Sequence, residues 1–265
     1  MAVAPESLKR RVSKLVLFSG RARRAAAWIS AVSVAIVLWS SPGSAIPLNA
    51  GQGSITYDVA VWGAFGLTLN NTIGASGNAL PVLSATGEDL LDTVGDGALN
   101  PQPLTLNPVG FDVTPDPRRD APPTSFTYDA SSPAALLASA AGDISLAGVS
   151  RWSVDPLLGG GQLVFGDYSL AYNGTLGQWE ITNGIDFQVV TFLLGNAQVT
   201  TGPNGAFTVS GDLIGTASLG LLIPGAGGMD LGSFTFSAVP EPGTALLFAG
   251  GLAALAATRR RKRLD

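Results

Sequence analysis

The chain has 265 residues and contains neither cysteine nor histidine. Triads with a histidine base, thiol nucleophiles, zinc sites built on Cys or His, histidine-ligated haem and thiol redox motifs are therefore excluded. No disulfide framework can form, so an exported body has to hold together by burial alone, which roughly 190 residues can do. Basic residues are also nearly missing from the middle: residues 46–238 contain no lysine and only Arg118, Arg119 and Arg151. Sixteen carboxylates in the same stretch leave it at about −13, although the whole chain is only −4. Such a balance excludes the basic surface that nucleic acid requires.

The missing cations are at the two ends. Lys9, Arg10, Arg11, Lys14, Arg21, Arg23 and Arg24 precede an uncharged apolar stretch, Ala25 to Ser40, and then the small-residue turn Ser41 to Ala45. Charge, apolar segment and small residues in this order predict a signal peptide over 1–45, cut by signal peptidase after Ala45. An uncleaved anchor is the alternative reading, because the apolar stretch approaches the length that spans a bilayer. Arg10-Arg11 does not make a twin-arginine signal, since Ser13 and Lys14 stand where apolar residues are needed. At the other end Val239-Pro240-Glu241-Pro242 is followed by the uncharged run Ala245 to Ala257 and by Arg259, Arg260, Arg261, Lys262 and Arg263. Residues 242–258 as a helix would span about 25 Å, with the cluster held cytoplasmic by the positive-inside rule. The two prolines keep the glutamate in extended chain, the form a protease binds.

This order of Pro-Glu-Pro, apolar helix and arginine block resembles the PEP-CTERM sorting signal, a tail also labelled the C-terminal domain of ice-binding proteins. The resemblance covers residues 239–263 and departs from the family pattern only in a slightly short helix and the extra Leu264 and Asp265. It implies export through the inner membrane of a Gram-negative bacterium, with a transient membrane intermediate held by the C-terminal helix. It further implies cutting at Val239–Pro242 by the membrane protease exosortase, and delivery to the cell surface or exopolysaccharide matrix. The ice-binding label belongs to the tail, because residues 46–238 have no sustained Thr-x-Thr array of fixed period.

The middle reads as β-structure. Tyr168, Leu170 and Tyr172 alternate with polar or small residues, Asn173-Gly174 intervenes, Trp179 and Ile181 alternate in turn, and Asn183-Gly184 leads into the apolar run Phe187 to Leu194. Two Asn-Gly turns between alternating runs predict a β-meander with two-residue loops, pairing Tyr172 with Thr175 and setting Asp167 directly opposite Glu180. Further turns are expected at Gly195-Asn196 and 203–205. Strands are expected at Ser54–Trp62, Ser125–Tyr128, Asp143–Trp152, around Phe207 and Val209, and around Phe234 and Phe236. Short helices are expected over Gly87–Asp96 and Ser131–Ala141, the second capped by Ser132, opened by Pro133 and stopped at Gly142. Seven prolines between Pro101 and Pro123 predict a surface loop or an edge. The expected fold is all-β: a single antiparallel β-sandwich or jelly-roll-like domain over 46–238, with a signal-peptide helix before it and a transmembrane sorting helix within 239–265.

Catalysis would have to use carboxylates, hydroxyls or the three arginines. Asp167 and Glu180, if opposite, could act as the acid pair of a glycoside hydrolase or share a calcium ion, but read more simply as a solvated face. Glu88, Asp89, Asp92 and Asp96 lack the spacing of a calcium loop and read as a solvated helix end. Asn70-Asn71-Thr72 and Asn173-Gly174-Thr175 contain glycosylation patterns, the second better explained as a turn. Trp62, Trp152 and Trp179 read as sheet core, with sugar stacking as the alternative. The sequence thus points to an exported, exosortase-processed, non-catalytic protein of the surface or biofilm matrix, in contact with extracellular polysaccharide. The alternatives are a carbohydrate-active enzyme, a carbohydrate- or calcium-binding module using surface carboxylates, and a membrane-anchored envelope protein.

Overall fold

The structure, a computed structural model, describes residues 45–74, 95–109 and 118–239, with Leu83, Thr86, Glu88 and Leu90 between them. Alternation governs the strands. In β11 (Asp230–Ala238) Phe234, Phe236 and Ala238 are buried while Ser233 and Thr235 are exposed, and β10 (Phe207–Gly215) buries Phe207 and Val209 with Thr208 and Ser210 on its other face. The same rule shapes β2 (Gly51–Tyr57), which buries Ile55 and Tyr57, and β8 (Gln178–Asn183), which buries Trp179 and Ile181.

The remaining wall strands are β4 (Gln102–Leu106), β6 (Asp143–Val154), β7 (Gln162–Asn173) and β9 (Val189–Thr201). They join in the order β6-β4-β2-β11-β10-β9-β8-β7, and β6 pairs back onto β7 from Asp143↔Ala171 to Ser153↔Gln162, closing an eight-stranded antiparallel ring. This closure corrects the expected sandwich or jelly roll: there is one sheet curled on itself, not two sheets facing each other. An eight-stranded barrel is just wide enough for its inward side chains to fill, and they do. Ile55, Phe165, Tyr168, Leu170, Ile181, Phe192, Val209, Leu213 and Phe236 are all fully buried in one core. The outward positions of β2, β10 and β11 carry Ser54, Thr56, Thr208, Ser210, Ser233, Thr235 and Ser237. This polarity is the inverse of a lipid-spanning barrel, whose outer band is apolar.

Smaller elements complete the described fold. Strand β3 (Leu67–Ile73) continues the sheet beside the second half of β6, from Leu67↔Val154 to Ile73↔Val149, while β4 borders the first half at Thr105↔Ala147 and Leu106↔Leu146. Half of β4 is thus unpaired on its β6 side, the local edge that Pro103 tolerates. The Pro-rich stretch is therefore partly a wall strand and not only a loop. A two-stranded ribbon pairs β1 (Ile46–Pro47) with β5 (Thr127–Tyr128).

Residues 59–64 are a helix, α1 (Val59–Ala64), where a continuing strand was expected. The Asp58 carboxylate accepts from the N–H groups of Ala60 and Val61 and starts the turn. Helix α2 (Pro133–Ser139) has the expected Ser132 cap, at 3.1 Å from the Ala135 nitrogen, but ends before Gly142. Helix α3 (Ala217–Leu222) is capped by Thr216. Glu88 and Leu90 are helical, whereas most of the expected 87–96 helix lies outside the described residues. Among the described residues no helix is long and apolar enough to cross a membrane. The expected signal-peptide and sorting helices lie outside the described residues.

Candidate functional site

Strand β11 ends where the Pro-Glu-Pro begins. Ala238 is paired on both sides, with Phe207 of β10 and Gly51 of β2, and the Val239 N–H donates to the Ala50 carbonyl at 3.0 Å. Val239 is half exposed, and Pro240 follows it directly. The other end of the barrel body arrives at the same rim. Ile46 pairs with Tyr128, whose hydroxyl donates to the Gly205 carbonyl at 2.7 Å, and Gly205 lies two residues before Phe207, the partner of Ala238. Ala45 is exposed and immediately precedes β1. Both expected cutting positions therefore flank one rim, called here the exit rim.

Asp167 and Glu180 are not brought together. The first hairpin has a four-residue loop, 174–177, so Tyr172 pairs with Trp179 and not with Thr175. The Asn173 carboxamide oxygen accepts from Thr175 and Leu176, both at 3.1 Å, and Gly177 takes the left-handed position at φ +67°. Asn183-Gly184 does not form a two-residue turn either, because the Asn183 side chain holds a longer loop through the carbonyls of Ile185 and Phe187. The expected turn at Gly195-Asn196 is instead an irregularity within β9, with Asn196 at φ +49°. Glu180 consequently lies opposite Ala171 and accepts from Asn173 at 3.0 Å.

Asp167 sits at a slip in the β6–β7 register with φ +46°, which lets it and its neighbour Tyr168 both be buried. There it binds Arg119 in a two-pronged ion pair, Nε to Oδ2 at 2.6 Å and Nη2 to Oδ1 at 3.1 Å, with neither side chain exposed. Burial pushes the Asp167 carboxyl above its ordinary value, against the opposing pull of the Arg119 guanidinium and the Gly148 N–H. Arg119 is placed by a short crossing segment. Asp120 N–H donates to the Gly184 carbonyl at 2.7 Å and Asp186 N–H to the Arg118 carbonyl at 2.8 Å. A side chain at Gly184 would strike the Asp120 carbonyl.

The other arginines are also structural. Arg118 pairs with Asp186 at 2.8 Å, and Arg151 is buried in β6. The pairing of Arg119 was not read from the sequence; its rarity in an acidic body was the only signal.

The remaining candidates are absorbed by packing. Trp62, Trp152 and Trp179 are buried, so none is a sugar platform: Trp62 stacks on Trp152 at 4.6 Å, and its Nε1 donates to the Leu231 carbonyl at 2.9 Å. Tyr57 forms the centre of a buried polar cluster, with Tyr168 Oη at 2.9 Å, Ser150 Oγ at 3.0 Å and Gln102 Oε1 at 3.2 Å. Burial pushes the Tyr57 phenol up to about 12 and the Tyr168 phenol well above its ordinary value.

Asp96 accepts from the Gly74 N–H at 3.0 Å, and Asn71 from the Gly97 N–H at 3.0 Å, stapling residues 95–97 onto β3. Asn70 donates to Ser153. Asp89 and Asp92 lie outside the described residues, and among the described residues no group of three or more carboxylates is gathered for a metal ion.

A family model of the PEP-CTERM protein-sorting motif matches residues 238–262. The chain carries a PEP-CTERM sorting motif. The match begins on the last residue of β11, so the PEP-CTERM signal abuts the barrel wall without a spacer. A motif of this kind is the mark of exosortase-targeted surface proteins. No curated protein and no solved structure matches the chain.

Proposed function

We propose that this chain is a non-catalytic PEP-CTERM barrel of a Gram-negative bacterium, released from an inner-membrane intermediate to the cell surface or exopolysaccharide matrix. The observation that carries the reading is the sorting signal joined directly to a filled, closed barrel. In this reading signal peptidase cuts after Ala45 and exosortase cuts within Val239–Pro242. Arg259, Arg260, Arg261, Lys262 and Arg263 hold the tail on the cytoplasmic side until the cut.

Two features support a role without catalysis. Asp167 is sealed inside with Arg119 and does not face Glu180, so the two do not form the acid pair expected of a glycosidase, and the interior is occupied by aromatic rings. The wall instead presents rows of polar groups, Thr208–Ser237–Gln52 and Ser210–Thr235–Ser54, across three strands. Their hydroxyl and amide groups suit contact with hydrated extracellular polysaccharide, and the charge of about −13 keeps the released body soluble.

The test compares cells with and without exosortase, using antibodies against the body and the tail. Loss of the tail epitope from the exported protein only when exosortase is present is expected. An exported protein carrying its tail in normal cells would overturn the proposal.

A further inference from the structure

The sequence has three Asn-Gly steps, Asn173-Gly174, Asn183-Gly184 and Asn204-Gly205. A glycine after asparagine has no Cβ to shield its backbone nitrogen, which reaches the side-chain carboxamide carbon wherever the asparagine is free to turn. The barrel removes that freedom at two of the three. Asn183 is fully buried: its Nδ2 donates to the carbonyls of Ile185 at 2.6 Å and Phe187 at 2.8 Å, and its Oδ1 accepts from the Gly166 N–H at 2.7 Å. The Gly184 N–H is itself committed to the Gly166 carbonyl at 3.0 Å. Asn173 is held at both ends of its carboxamide, with Oδ1 capping the loop at Thr175 and Leu176 and Nδ2 donating to Glu180 at 3.0 Å.

Asn204 has no such hold. It is exposed in the loop between β9 and β10, and among the described residues its side chain has no hydrogen-bond partner. Its backbone lies at φ 58° and ψ 27°, the left-handed region that favours glycine, and Gly202 and Gly205 leave the loop room to rotate.

We infer that Asn204-Gly205 is a deamidation site, converted in the folded protein ahead of the other two steps. The Gly205 nitrogen gives its proton to solvent base and attacks the Asn204 Cγ. A five-membered imide closes, and the carboxamide nitrogen leaves as ammonia. Water then adds to either imide carbonyl and opens the ring to aspartate or isoaspartate, with no change in oxidation state. Isoaspartate carries the main chain through Cβ and lengthens the loop by one atom. The effect falls on the exit rim. The Gly205 carbonyl accepts the Tyr128 hydroxyl at 2.7 Å, and Ile46 Cδ1 lies 2.8 Å from where a Gly205 Cβ would stand. A longer loop moves both contacts and releases Tyr128 from its acceptor.

The test incubates the purified full chain in mildly alkaline buffer, folded and in denaturant. Each Asn-Gly peptide is followed by mass spectrometry with fragmentation that separates aspartate from isoaspartate. Similar rates are expected for the three steps in denaturant. In the folded chain Asn173 and Asn183 should fall about tenfold or more behind Asn204, because each must first break at least two hydrogen bonds. Conversion of Asn204 no faster than that of Asn173 in the folded chain overturns the site.

The link to the rim is read at Tyr128, whose phenol burial holds above its ordinary value. Freshly made Asn204→Asp adds the same charge without the extra main-chain atom. The aged chain is expected to form tyrosinate at lower pH than Asn204→Asp, a difference that disappears when both carry Tyr128→Phe. Equal titration of the aged chain and Asn204→Asp overturns the link.

Discussion

The two rims of the barrel are closed by different means. At the far rim α1 inserts Trp62 against Trp152, and the surrounding surface shows large apolar side chains: Leu157 is 92% exposed, Leu221 87% and Leu158 64%. A groove between Phe65, Leu67, Leu158, Leu163 and Leu222 lies among them. At the exit rim the plug is Phe126 stacked on Tyr128 at 5.7 Å with Phe207 at its side, and the flanking chain shows few large apolar side chains, with Asp129 directly after Tyr128. The difference separates two tasks. Among the described residues, packing at the far rim does not involve the strand end that leads into the motif, whereas at the exit rim β11 both completes the barrel and runs into the matched sorting motif.

The largest way to break this comparison is in the two plugs. Trp62→Ala removes a fully buried ring and its hydrogen bond, and should cost about 3–5 kcal/mol in denaturant unfolding without altering the site of tail removal. Arg119→Met provides a control in the wall between the rims. It leaves Asp167 buried without its partner and should cost about 3–5 kcal/mol, while adding Asp167→Asn, which tolerates the positive φ, should recover most of that loss.

Alkaline titration sharpens the contrast further. The Tyr57 phenol holds its proton to about 12 in the folded barrel but ionises near 10 when unfolded, so its contribution is full below pH 10 and is lost as pH rises through about 12. Tyr128 at the exit rim, whose phenol burial raises less far, should form tyrosinate before Tyr57 and Tyr168. Tyrosinate absorbance in a Tyr128→Phe variant checks the order. The smallest effect on stability is at the far surface: Leu157→Ser with Leu221→Ser should change stability by less than about 0.5 kcal/mol per site while reducing the binding of an apolar dye.

Much of the wall was legible because alternation is a local property. Phe234 and Phe236, Tyr168 to Tyr172, and Trp179 with Ile181 have the same buried faces in the barrel that their spacing predicts. Closure was not legible, because a sandwich and a barrel share the same period of two. What separates them here is pairing of β6 with β4 and β7, a matter of distant partners.

The hairpin register failed for a chemical reason. Asn173 uses its side chain to cap a four-residue loop, so the Asn-Gly pair does not occupy a two-residue turn. Trp62 left its expected strand because Asp58 offers a helix cap. The sorting motif was legible in full, since its order depends on no fold. Its attachment to a doubly paired strand end could be seen only once β11 had neighbours.

Intact mass measurement of the exported protein from normal cells tests the central claim most directly. The predicted product begins at Ile46, ends within Val239–Pro242 and lacks Arg259 to Arg263. An exported product that still contains the arginine block would contradict it.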